Sequence, residues 1–416
     1  MIGLPGETST RIFAASHPWK ATLPLVATFA FAASIGCDAP PTPMDLLDRG
    51  HAYVNSAAAR RAALEAALVN PANGYSEVRL AQYTEQAWGA LPLWNPPARP
   101  MAVGEAVPAR LDDAYPLDYE AVPWTSSALQ RLGERAFFEY PVQIAPALAH
   151  AADDPSAYGL GPRHGIVETV LWVESPGGVF PALTCATCHA TRGADGLWIP
   201  GKTNAEFDYG RLLDDFHGTI SPQSEWGPAR VDVTPDALFN PTVATDLRPV
   251  AYQERLHRAG TLYNDPIALA VRLETLLITS SGRAVRPPRE IVFALVVYLW
   301  RLADALPAVP REGRGRAVFD AACGECHGGP GLAGAATPLA EVGTDPAIGE
   351  STMRGTGTYR ISSLRGVGDR TPLLASGGIA DLAAFLDPGR AASGHTYGLD
   401  LDSADRTALL AFLAGL

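Results

Sequence analysis

Cys185-Ala186-Thr187-Cys188-His189 and Cys323-Gly324-Glu325-Cys326-His327 are the two stretches on which the reading of this chain turns. Each is a Cys-x-x-Cys-His string, the form of a c-type haem attachment site. Two thiols at that spacing reach the two vinyl groups along one edge of a haem. The histidine that follows falls beneath the iron as proximal ligand. Together the strings use four of the five cysteines in 416 residues. Zinc and redox-dithiol sites are the competing uses of Cys-x-x-Cys. A compact four-cysteine zinc site has its second pair roughly 15–20 residues on. Here Cys185 and Cys323 stand 138 positions apart, and each pair carries its own histidine. Covalent haem at both strings is therefore expected, held by Cys185, Cys188, His189, Cys323, Cys326 and His327, provided the chain reaches a compartment where such haem is attached.

The first 36 residues predict that it does. Arg11 and Lys20 supply positive charge, residues 21–36 are almost wholly apolar and small, and Cys37 follows. The run is shorter than the roughly 20 residues a membrane span needs, so it reads as a signal peptide. Ser34-Ile35-Gly36-Cys37 resembles a bacterial lipobox, with serine where leucine is usual. In that reading Cys37 becomes the lipidated first residue; ordinary cleavage and a retained anchor are the alternatives. The expected location is the periplasm or cell envelope, with the proline-rich residues 38–43 as tether and a lipid anchor as the membrane contact. Loss of Arg11, Lys20 and Glu7 with the leader takes 32 basic and 44 acidic residues to 30 and 43, a net charge of −13. That balance argues against nucleic acid and for a redox partner with a basic docking face.

About 380 mature residues fit two or three domains. With 40 glycines and 36 prolines, long loops should wrap the helices. A repeat is visible. Gly133-x3-Phe137 precedes the first haem string and Gly315-x3-Phe319 the second. Leu247-Arg248-Pro249-Val250 is followed by Gly260, and Leu364-Arg365-Gly366-Val367 by Gly377 at the same spacing. Each unit closes with an apolar helix, one starting at about Pro288 and the other at about Ser403, read as its N-cap. The expected architecture is all-α: residues 37–124 as a tether and helical or irregular extension, 125–306 as a first cytochrome c-like haem domain and 307–416 as a second. The extension carries an Ala-rich helical segment at about 56–69 and an irregular run at Leu93-Trp94-Asn95-Pro96-Pro97. It is read as a packing or docking element.

Tyr359-Arg360-Ile361-Ser362-Ser363-Leu364-Arg365-Gly366-Val367, then Pro372, Gly377, Leu382 and Phe385, resembles the second half of di-haem cytochrome c peroxidases. The likeness runs on through Gly398, Leu401 and Leu410-Ala411-Phe412-Leu413, and covers about the last 110 residues well and the first unit loosely. The resemblance implies two all-helical haem domains, one taking electrons from a donor and the other reducing hydrogen peroxide. The family's Pro-Tyr-Phe/Met-His-Asp-Gly turn is Pro372-Leu373-Leu374-Ala375-Ser376-Gly377 here, without its His and Asp. The resemblance therefore speaks to fold more than to peroxidase activity.

The distal ligand of each iron decides between these activities, because a sixth protein ligand favours electron transfer and an open position permits chemistry. In cytochrome c domains that ligand usually comes from the loop before the last helix. In the second unit this loop offers His395, with Met353 as the alternative. In the first unit the corresponding stretch, 265–288, has neither His nor Met. Its iron is either open or ligated from elsewhere, by His257 or His217, with His164 upstream. Over an open haem His257 and His217 are candidates for acid–base work, and Arg258 for stabilising negative oxygen. Two readings follow: electron transfer through two haems, or a peroxidase-like oxidoreductase acting at the first.

Overall fold

Gly133 and Gly315 show why this chain packs as it does. The Ser126–Glu139 helix crosses the Arg289–Arg301 helix at Gly133, where an added Cβ would stand 2.0 Å from the carbonyl oxygen of Ala294. The Arg314–Ala322 helix crosses the Ser403–Ala414 helix at Gly315, where a Cβ would stand 2.2 Å from the carbonyl oxygen of Ala408. One turn beyond each glycine a fully buried phenylalanine fills the gap. Phe137 meets Tyr298 at 5.6 Å between ring centres, and Phe319 meets Phe412 at 5.1 Å. The repeated Gly-x3-Phe string is thus a crossing device: the glycine lets two backbones touch, and the ring seals the contact. Gly133→Ala and Gly315→Ala should each destabilise the protein by about 1–3 kcal/mol in denaturant unfolding, the cost of overpacking against an immovable carbonyl. Elsewhere in a helix the same change stabilises by about 1 kcal/mol, so an unchanged or raised midpoint would dismiss the crossing argument.

The computed structural model describes residues 43–85, 88–220, 222–232, 239–391 and 394–416. The leader and Cys37 lie outside the described residues. Residues 40–416 cluster as one unit. Among the described residues no helix is long and apolar enough to cross a membrane.

The all-α expectation is corrected. The chain is 42% helical and 15% strand, with several small antiparallel sheets. The largest has four strands in the order β1-β3-β4-β2: β1 Ala98–Ala102, β2 Gln143–Ile144, β3 Ile166–Ser175 and β4 Gly178–Leu183. β3 and β4 are a hairpin closed by Pro176-Gly177, with Ser175 opposite Gly178 and Gly177 at φ 103°. β3 is rich in branched and aromatic residues, and its Val167, Val170, Trp172 and Val173 are buried. A hairpin with that composition forms a sheet wherever its apolar face finds a core. β1 comes from the N-terminal extension, so part of the extension is built into the sheet that supports the first Cys-x-x-Cys-His string.

The rest of the extension docks by helices. Ser56 caps the Ala57–Ala67 helix by accepting a bond from the Ala59 N–H. Tyr53, Leu64 and Leu68 join one apolar core with Leu262, Ile267 and Phe293. At the base of that core, fully buried Glu274 accepts from Arg289 Nε at 2.9 Å and from the Tyr53 hydroxyl at 3.1 Å. A second apolar core is drawn wholly from the last 110 or so residues and includes Phe319, Val367, Leu409 and Phe412. The last helix is capped by Asp402, which accepts from the Asp405 N–H, rather than by Ser403, which is the first helical residue.

The loops repeat as well as the helices. Leu256 pairs with Leu262 across one tight turn and Leu373 with Ile379 across the other. His257 and Leu374, at equivalent places, both have positive φ (65° and 67°), as do Gly260 and Gly377. A bulky residue in that region is uncommon and is held there only by its surroundings. His257 thus occupies a place fixed by the turn itself.

Candidate haem sites

The first string forms a short helix, Cys185–His189, moored to β3 by its own intervening residues. The Thr184 and Thr187 hydroxyls both donate to the Thr169 carbonyl, and the Thr184 N–H donates to the Thr187 hydroxyl at 2.9 Å. Ala186 and Thr187 are fully buried. With the x-x residues turned into the sheet, Cys185, Cys188 and His189 face the other way and keep part of their accessible surface. Burial pushes the Cys185 and Cys188 thiols up to about 12. The structure holds Cys185, Cys188, Cys323 and Cys326 as free cysteines.

The histidine of each string is oriented by a backbone carbonyl. His189 Nδ1 lies 2.8 Å from the Thr245 carbonyl, and His327 Nδ1 lies 3.1 Å from the Leu332 carbonyl. The proton on Nδ1 that this assigns leaves the Nε2 lone pair for a metal, the arrangement by which metal-bound histidines are usually fixed. Burial holds both imidazoles down to about 4, so both are neutral at pH 7, as a ligand must be. Neither carbonyl was legible in the sequence. Thr245 lies 56 residues from His189, and its bond depends on how the chain returns to the string.

Of the distal candidates, the structure sets one, His395, close to the histidine of a string, with the two ring planes inclined at 51°. The His327 and His395 rings are 6.4 Å apart between centres. Two metal–imidazole bonds of about 2.0 Å, with the roughly 1.1 Å from nitrogen to ring centre at each end, span about 6.2 Å. His395 Nδ1 is buried with no hydrogen-bond partner among the described residues. Its ring packs against Phe385 and Tyr397, and burial, then the Arg390 charge, lowers its pKa. The loop is pinned in this position. The His395 N–H donates to the Val342 carbonyl at 2.7 Å, the Tyr397 hydroxyl donates to the Glu341 carbonyl at 3.1 Å, and Arg390 donates to the Gly394 and His395 carbonyls. These residues fit an iron held between two imidazoles. A buried ring nitrogen without a protein partner is the kind of group a bound metal would satisfy.

The remaining candidates sit elsewhere. Met353 packs on Gly74, and its carbonyl accepts from the Tyr75 N–H at 2.7 Å, so it belongs to the docking of the extension. His217 ends the Tyr209–His217 helix on the surface, beside exposed Phe216. His164 is an exposed turn residue. His257 is deep, but both ring nitrogens are engaged: Nδ1 with the Thr261 hydroxyl, and Nε2 accepting from Arg272 Nε at 2.7 Å. Arg258 donates to the Val243 carbonyl at 3.1 Å and is near enough to His189 for its charge to be felt there.

No family model matches the chain, and no curated protein matches it. Among solved structures it is similar to the crystal structure of a MauG-like protein associated with microbial copper homeostasis, at 16% identity and a TM-score of 0.37, over 75% of this chain and 93% of that one. A likeness of that degree fixes neither family nor activity.

Proposed function

We propose that the chain is an exported di-haem c-type cytochrome that carries electrons through two covalently held haems. When bound, haem iron supplies the one-electron chemistry. The protein's part is attachment, ligation and access. Cys185 and Cys188 would hold one haem and Cys323 and Cys326 the other, with His189 and His327 as proximal ligands. The single observation that carries the reading is the pairing of two neutral, carbonyl-oriented histidines with two Cys-x-x-Cys strings. His327 and His395 would close the second iron from both sides, which suits electron transfer. The test is the mass of the mature protein, expected to include two haem additions; a mass without them rejects the reading.

A second reading is favoured by one observation. No histidine ring is set against His189 as His395 is against His327 among the described ring contacts. The first iron would then admit an outside ligand, and the chain would be a peroxidase-like oxidoreductase acting there. Arg258 is the nearby cation for stabilising negative oxygen. Ready cyanide binding at one haem supports this reading, and refusal by both haems in every redox state leaves electron transfer alone.

The leader supports a lipid anchor at Cys37 and a place in the cell envelope. Cys37→Ser should move the protein from the membrane fraction to the soluble one. A mature N-terminus beyond Cys37 contradicts the anchor.

A further inference from the structure

Where the two repeat units meet, cations outnumber the carboxylates that could balance them. Lys202, Arg248 and Arg370 share two acids. Arg248 bonds Asp246 at 2.7 Å and Asp369 at 2.6 Å, Lys202 reaches Asp369 at 3.0 Å, and Arg370 reaches Asp246 at 3.3 Å. Three further arginines, Arg258, Arg272 and Arg360, bond no carboxylate among the described residues, and only Arg258 feels an acid's charge, that of Asp246, which Arg248 and Arg370 already bond. Arg258 Nε, Arg272 Nη1 and Arg360 Nε are buried and without any hydrogen-bond partner there. Unpaired Nε atoms occur at other arginines of this protein. Burial lowers the pKa of each, Arg258 to about 10 and Arg360 to about 9, as it also does at Arg286, but these three are drawn together around His257 and the 255–260 turn.

They belong to one place. The 255–260 turn lies against the Thr358–Ile361 strand: the Thr356 hydroxyl donates to the Ala259 carbonyl at 3.1 Å, Arg255 donates to the Thr358 hydroxyl at 2.8 Å, and a Cβ on Gly260 would meet Arg360 Cβ at 3.7 Å. Arg258 and Arg370 are close enough to Arg360 for their charges to push on it, and Arg272 and Arg360 both press on His257. All three arginines are surrounded by protein yet keep part of their accessible surface, as side chains lining an internal cleft do. A buried guanidinium facing a neutral histidine and another guanidinium is costly without an anion. Arg258 and Arg272 belong to the first repeat unit and Arg360 to the second.

We propose that Arg258, Arg272 and Arg360 form a carboxylate receptor at the junction of the two units, and that it holds haem propionates. This rests on the di-haem reading above. Planar guanidinium groups with free N–H bonds suit the carboxylates that end the haem edge opposite the vinyl groups. A haem whose propionate is so neutralised is more easily reduced, because the electron arrives nearer a positive charge. His257 is then a positioning residue that steers Arg272 rather than an iron ligand.

The test uses the full-length holoprotein, titrated between its oxidised and reduced states and followed by visible absorption. Arg360→Gln should keep two haem additions by mass. It should lower the reduced-to-oxidised ratio of at least one haem about tenfold at a fixed potential, about 59 mV for one electron, and Arg360→Lys should largely restore it. If Arg360→Gln does not accumulate, Arg272→Gln is read in the same way. Unaltered potentials with both haems present overturn the receptor but not the di-haem reading. A chain without haem overturns both. If wild-type potentials shift with added inorganic phosphate and Arg360→Gln abolishes that response, the receptor takes a diffusible anion, and the propionate assignment is wrong.

Discussion

His395→Ala is expected to convert one haem of the protein from low spin to high spin and to leave the other as it was. The two ring centres stand 6.4 Å apart, the span of an iron with an imidazole on each face. Alanine removes the imidazole on that side; of the rings packed on it, Phe385 has no donor atom and the Tyr397 hydroxyl is engaged by the Glu341 carbonyl at 3.1 Å. The backbone of the loop should survive, because its bonds to Val342 and Arg390 run through the main chain. The effect is large in the spectrum and small in stability. Visible absorption of the oxidised variant checks it. If both haems keep their wild-type spectra, His395 is not a ligand, and Met353 would have to leave its seat on Gly74 to become one.

Removal of single thiols should act on one haem at a time. Cys185→Ala should reduce haem attachment at the first string and Cys326→Ala at the second, so that each variant accumulates chains with one haem addition. The two strings sit on different supports, which is why the effects should be separate. The first is tied through Thr184 and Thr187 to Thr169 of β3, and the second follows the Arg314–Ala322 helix. Mass spectrometry of the mature variants distinguishes this from a coupled failure, in which either substitution costs both haems.

What the sequence discloses here is what local pattern can carry. The Cys-x-x-Cys-His strings are conspicuous in the sequence because haem attachment needs both thiols and the imidazole within five residues. The Gly-x3-Phe strings read because a crossing needs its glycine and its ring one turn apart. The sheet did not read. The 166–183 hairpin lies between Phe137 and Cys185, where the second repeat unit has only the three residues between Phe319 and Cys323, and its partner β1 arrives from the N-terminal extension, a pairing no window of sequence contains. The branched residues of β3 and Pro176-Gly177 were the available signal. His257 shows the opposite limit. Its place beside Arg258 looked like chemistry, yet its ring is committed to Thr261 and to Arg272, fifteen residues on. Arg272 gave no sign in the sequence, and Arg360 stood there only as one residue of the 359–367 stretch. An arginine without an acid becomes conspicuous only when its neighbours are known.

Electron paramagnetic resonance of the fully oxidised protein, integrated for each species, tests the account most directly. One low-spin signal from the His327–His395 iron and one high-spin signal from the His189 iron, in equal amounts, are the predicted result. Two low-spin signals would contradict the open first iron, and a spectrum with no haem signal would contradict the account as a whole.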